Sequence, residues 1–128
     1  MDKAQAIHNF WSRFGLPAYD ENAVPDDGAD LETVPEMPYI TYDVVTDSLG
    51  YPVSMNASLW YYSSSWAEIS QKADEIAEYL SVGGRTIRVE NGIVWVTPGS
   101  PFAQRMEDPN PSIRRILLNV MAEYLTTY

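Results

Sequence analysis

Cysteine is absent from the chain, which excludes disulfide staples and thiolate metal sites and leaves a reducing compartment open. Histidine occurs once, at His8, and nothing near it in sequence could complete a catalytic or metal-binding set, so it reads as a surface or edge residue. No apolar run approaches the ~20 residues of a membrane span, and the start carries no signal-peptide pattern. That predicts a soluble chain that stays where it is made. GxGxxG and GxxxxGK[ST] patterns are missing too, so Gly83-Gly84 and Gly99 form no phosphate loop.

Positive charge is scarce in one long stretch. Between Arg13 and Lys72 there is no Lys or Arg, while residues 17–47 hold nine acids: Asp20, Glu21, Asp26, Asp27, Asp30, Glu32, Glu36, Asp43 and Asp47. Five of the eight basic residues are arginines from Arg85 onward: Arg85, Arg88, Arg105, Arg114 and Arg115. A net charge of −10 argues against nucleic acid or an anionic membrane as partner, since both call for basic patches. The uneven distribution predicts a polarised molecule.

What is present is globular in character. With 128 residues, 45% of them hydrophobic and 20% charged, the chain fits a single domain over 1–128. A domain of that size buries roughly two-thirds of its unfolded surface. Its organising stretch runs from Ser65 to Thr97. Ser65-Trp66-Ala67-Glu68 reads as a capping box, and apolar residues recur at Trp66, Ile69, Ala73, Ile76, Ala77 and Leu80. Those spacings predict a helix of about 16 residues, closed by Gly83-Gly84. Two alternating strands around Asn91-Gly92 follow, and a two-residue turn there pairs Val89 with Val94, Arg88 with Trp95 and Ile87 with Val96. Ile87, Val89, Val94 and Val96 then face the helix, and Arg88 meets Trp95 on the other side.

Upstream, Ile7, Phe10, Trp11 and Phe14 mark a short amphipathic helix ended by Gly15. Residues 17–37, broken by Pro17, Pro25 and Pro35, read as a long acidic loop in which Leu16, Tyr19, Val24 and Leu31 lie along a surface. Tyr39–Thr46 and Val53–Tyr62 alternate as a first hairpin, with Ile40, Tyr42 and Val44 on one face and Val53, Met55, Ala57, Leu59 and Tyr61 likewise. Pro98-Gly-Ser-Pro101 reads as a turn. The last segment, Ile113–Leu125, matches both a helix and a strand. We expect an edge or near-edge strand, because two hairpins need a fifth strand to cover Leu118, Val120, Ala122 and Tyr124. The fold class expected is α+β: an N-terminal helix, two antiparallel hairpins and a C-terminal strand in one sheet, with one capped helix packed on it.

The candidate sites are sparse. Asp26-Asp27-Gly28-Ala29-Asp30-Leu31-Glu32 resembles a calcium loop only superficially, lacking ligands at alternate positions and the central glycine. Glu68 and Lys72 form an ordinary i, i+4 pair. Tyr39, Tyr42, Trp60, Tyr61, Tyr62 and Trp66 gather around the first hairpin, and those facing away from the core read as interface anchors. No catalytic residue, metal or cofactor is expected.

Phe10-Trp11-Ser-Arg-Phe-Gly15-Leu-Pro17-Ala-Tyr19-Asp-Glu21-Asn-Ala-Val-Pro25-Asp, Pro38-Tyr-Ile-Thr-Tyr42, Ser65-Trp66-Ala-Glu-Ile, Pro101-Phe-Ala-Gln-Arg105-Met and Arg114-Arg-Ile-Leu-Leu-Asn119 together resemble the small tail-completion proteins of long-tailed bacteriophages, the tail-terminator and neck proteins. The resemblance covers most of the chain, and its motifs are structural. It implies a non-enzymatic virion protein at the tail or neck, present in the host cytoplasm during assembly. It also implies a homo-oligomeric ring, usually hexameric, whose partners are the tail tube protein and the head–tail connector proteins. A ring needs two unlike surfaces. We expect Tyr19, Asp26, Asp27 and Asp30 on one and Arg105, Arg114 and Arg115 on the other. Changing Arg114 and Arg115 together to Glu should then block ring closure and leave thermal unfolding nearly unchanged. The alternative is an acidic phage-encoded DNA mimic or inhibitor, but a mimic would spread its acids along helices, and here they concentrate in one proline-broken stretch.

Overall fold

A computed structural model of the protein describes residues 1–21, 36–45 and 50–127. The elements in chain order are α1 (Lys3–Ser12), β1 (Ala18–Asp20), β2 (Tyr39–Tyr42), β3 (Pro52–Tyr62), α2 (Ala67–Leu80), β4 (Arg85–Val89), β5 (Gly92–Met106) and β6 (Ile113–Thr126). The six strands form one sheet in the order β1-β2-β3-β6-β5-β4, antiparallel throughout except for the parallel β1–β2 pair. Helix α1 touches both β1 and β4, the two opposite edges. A helix of ten residues spans about 15 Å, so the sheet must curl around it. This is an α+β fold.

Core packing follows strand parity. On β6, Ile116, Leu118, Val120, Ala122 and Tyr124 are buried, and on β3 so are Met55, Ala57, Leu59 and Tyr61. These meet Ile69, Ala73, Ile76 and Leu80 of α2 and Ile7, Phe10 and Trp11 of α1 in one cluster. The helical spacing of those residues placed them correctly. Asp2 caps α1 by accepting the Gln5 amide at 2.8 Å, and Gly15, at φ +81°, turns the chain away behind Phe14.

Helix α2 starts later than its sequence suggests. The Ser65 hydroxyl accepts from the Ala67 amide at 3.1 Å, not from Glu68, and Trp66 at the cap position makes no side-chain cap. The capping box therefore closes as a short serine turn ahead of a 14-residue helix. The chain leaves α2 through Ser81, at φ +52°, before Gly84, at φ +74°. Lys72 bonds Glu75 at 3.1 Å and the Phe14 carbonyl at 2.8 Å, so it links α2 to the end of α1 and not to Glu68.

The second hairpin turns one step earlier than expected. Val89 pairs with Gly92, Ile87 with Val94 and Thr86 with Trp95, so the turn residues are Glu90 and Asn91. A two-residue slip keeps every side chain on its expected face, and Val89, Val94 and Val96 are buried while Trp95 stays exposed. The reason lies in β6. A Cβ on Gly92 would sit 2.1 Å from the Leu125 carbonyl oxygen, so the glycine is used for close approach between strands. Arg88 consequently faces Ile93 across the ladder, not Trp95.

Three further expectations change. The segment read as the Pro98–Pro101 turn lies within β5, where a register shift between Pro98 and Ala103 absorbs the extra residues. Proline is tolerated there because β4 ends opposite Val96, leaving that side of β5 without a strand partner. Ala18–Asp20, read as part of a loop, pairs in parallel with β2; three residues are too few to show a period. Finally, the C-terminal strand is central, not at an edge, paired with β3 from Ile113 to Glu123 and with β5 from Arg115 to Thr126. Of the expected loop, residues 22–35 lie outside the described residues.

Candidate interaction surface

Because α1 and α2 cover one face of the sheet, strand alternation delivers a second face made of the intervening residues. From β6 it receives Arg115, Leu117, Asn119, Met121 and Glu123, all half-buried, and Leu125, which is 45% exposed. A cross-strand row runs across one end of it. Tyr39 pairs with Trp60, Trp60 with Arg115 and Arg115 with Met106. The Tyr19 and Tyr39 rings meet edge-on at 5.8 Å, and Tyr39 stacks on Trp60 at 6.4 Å. The Arg115 guanidinium lies over the Trp60 ring at 4.8 Å.

Hydrogen bonds hold this row in place. Trp60 Nε1 donates to Thr41 Oγ1 at 2.9 Å, and Arg115 Nε donates to Ser58 Oγ at 3.1 Å. Each ring pair or cation–π contact contributes about 0.5–1.5 kcal/mol. Together they make a rigid, largely apolar patch whose side chains have little freedom left to lose on docking.

The neighbouring arginine behaves differently. Arg114 sits on the helix-covered face, paired with Tyr61, and its guanidinium lies over the Trp66 ring at 5.2 Å. It donates to the carbonyls of Pro111 and Ser64, both at 2.9 Å, while its buried Nε finds no acceptor among the described residues. Arg105 also lies over Trp66, at 4.8 Å. Arg85 is at the far end of α2, over the Tyr79 ring at 4.4 Å and bonded to the Tyr79 carbonyl. With Arg88 on β4 opposite Ile93, the five later arginines are dispersed over four places and do not make one patch. Of the expected binding residues, Tyr19 and Arg115 share the open face, and Arg105 and Arg114 share Trp66. Asp26, Asp27 and Asp30 lie outside the described residues.

Several titratable groups lie on α1, β2 and β3 or just past them. Exposed His8 has Nδ1 2.8 Å from the buried Tyr42 hydroxyl and Nε2 3.3 Å from Ser12 Oγ. Burial, reinforced by Asp20, pushes the Tyr42 hydroxyl above its usual range. Burial also raises the Asp43 carboxyl, against the Asn56 amide that bonds it at 2.8 Å. Tyr61 is raised by burial and then by Glu68 and Glu75. Among the described residues no group of His, Cys, Asp and Glu converges to hold a metal. A recess of about 260 Å³ between the first residues of α1 and the β4–β5 turn is lined by Met1, Lys3, Val44, Val89, Glu90 and Thr126, and the N-terminal amine lies 3.7 Å from the Glu90 carboxylate there.

The open face was missed as a unit because its row depends on register. Hairpin parity already sets Tyr39 and Trp60 opposite the core residues Ile40 and Leu59, and that is the signal from which their alignment could be read.

No protein-family model matches the sequence, and no curated protein does. The fold is similar to that of a solved chain described as "Virion of native gene transfer agent (GTA) particle", with a TM-score of 0.63. The match covers 94% of this chain and 92% of that one at 18% identity, so what the two share is the fold.

Proposed function

We propose that this chain is a structural protein of a phage-type virion, working at the neck as an oligomeric ring that caps the tail tube or joins it to the head. The observation that carries this reading is the near full-length likeness of fold to a chain of a gene transfer agent virion. The resemblance in sequence to tail-completion proteins points the same way. A rigid aromatic face over an otherwise conventional core suits a protein that acts by docking, and the proposal includes no catalytic step. A net charge of −10 keeps the subunit apart from its copies until a platform is present.

The test is negative-stain imaging of purified tail tubes incubated with the protein, alongside native mass measurement of the protein alone. A ring at one tube end, with monomer dominant at low concentration, is the expected result. Tubes left bare at all concentrations would overturn the neck assignment, and a compact dimer that displaces DNA from a DNA-binding protein would favour the mimic.

A further inference from the structure

Beyond the reading as a ring, and resting on it, the structure assigns the contact between copies: the acidic outer stripe of α2 in one subunit docks on the open sheet face around Trp60 and Arg115 of the next. Two surfaces on opposite sides of the domain carry the argument. Helix α2 buries Ile69, Ala73, Ile76 and Leu80 against the inner face, which leaves Glu68, Asp74, Glu75 and Glu78 exposed on its outer side. The open face lies behind the same strands. A domain whose complementary surfaces are distinct associates head-to-tail, which closes a ring where the rotation between copies returns on itself and which a face meeting itself cannot produce.

Chemistry sets the pairing. Among the described residues Arg115 bonds only Ser58, through its Nε–H, and its two terminal amino groups carry four further N–H donors beside the Trp60 ring. A guanidinium in that condition suits a carboxylate taken bidentately. Glu68, Asp74, Glu75 and Glu78 recur at helical spacing, so they present carboxylates along one side, with Glu75 shared with Lys72. Trp60 and Tyr39 supply apolar area next to the charge. Within the row Tyr39–Trp60–Arg115–Met106 the only charge is positive, although the chain as a whole is strongly acidic.

The cysteine-free chain makes the test direct. Gln104 is exposed on the open face beside Leu117, and Glu78 is exposed on α2. The full-length protein carrying both Gln104→Cys and Glu78→Cys, treated with a short bismaleimide on tail tubes, should give a ladder extending beyond the dimer. Either single variant should give none. Arg115→Glu should abolish the ladder, and adding Asp74→Arg with Glu75→Arg to it should restore most of the lost product. Dimers from Gln104→Cys alone would mean that the open face meets its own copy, which overturns the assignment. Rings visible on tubes without any ladder would place the contact elsewhere and leave the ring reading standing. Neither rings nor ladder would remove both.

Discussion

On β6, Ile116, Leu118, Val120, Ala122 and Tyr124 are sealed beneath the helices, whereas Arg115, Leu117, Asn119, Met121 and Glu123, which alternate with them, stay half-exposed. The same strand thus serves two faces built on different principles. The inner one is apolar, aliphatic and aromatic together, and closed by two helices, and its energy comes from area removed from water. The outer one is held by ring contacts and side-chain hydrogen bonds, each worth little, and its order is lateral, across strands. Arg114 and Arg115 show the contrast at one step of the chain. The first braces the loops around Trp66 from the inner side, and the second lies on Trp60 on the outer side.

The largest expected effect comes from breaking the inner face. Leu118→Ala should lower unfolding free energy by about 2–5 kcal/mol, and Leu117→Ala by under about 1 kcal/mol, measured by urea denaturation. Equal losses would mean that the outer face is already covered in the free protein.

Tyr124 probes the same inner face by pH. Burial, then the charge of Asp43, pushes its hydroxyl up to about 12. A group raised in the folded state contributes stability that is whole below its unfolded value near 10 and is lost as pH rises through about 12. Stability should fall by about 2–3 kcal/mol over that window, and Tyr124→Phe should remove a matching part of the fall. Burial raises Tyr42 and Tyr61 as well, so some slope will remain. A variant with the full slope would acquit Tyr124.

Next in size is the arginine pair. Arg114→Ala forfeits three backbone acceptors, one of them long, and the Trp66 contact, for about 1–3 kcal/mol, while Arg115→Ala should cost about half as much. This revises the expectation that reversing both charges leaves thermal unfolding unchanged: Arg114 is part of the fold, and only Arg115 can be altered to test docking. Identical thermal shifts for the two alanine variants would erase the distinction between the faces.

The smallest effect is at Asp43, just past β2. Its carboxyl is raised by burial first, with Asp20 adding to it, so its charge is a penalty once pH rises through that raised value. Asp43→Asn keeps an acceptor for the Asn56 amide and removes the charge, and should gain about 0.5 kcal/mol at neutral pH, vanishing in acid. A loss at neutral pH would show that the carboxylate is favoured where it stands.

Periodicity by itself determined α1, α2, the two hairpins and the buried residues on each, because a 3.6-residue or two-residue recurrence is a local property of the chain. It also told which side of β3 and β5 would be covered, even where the turn at Gly92 was placed one step late. Tertiary structure decided the rest. Ile113–Leu125 matched both helix and strand because β6 carries apolar residues on both parities, as a central strand between two long neighbours does. Its place between β3 and β5, the use of Gly92 against Leu125 and the row from Tyr39 to Met106 are relations between segments far apart in sequence. They depend on which strands pair and in what register, and no local pattern records that choice. The separation of Arg114 from Arg115 was within reach, since adjacent strand residues point to opposite faces, but only once β6 was known to be a strand.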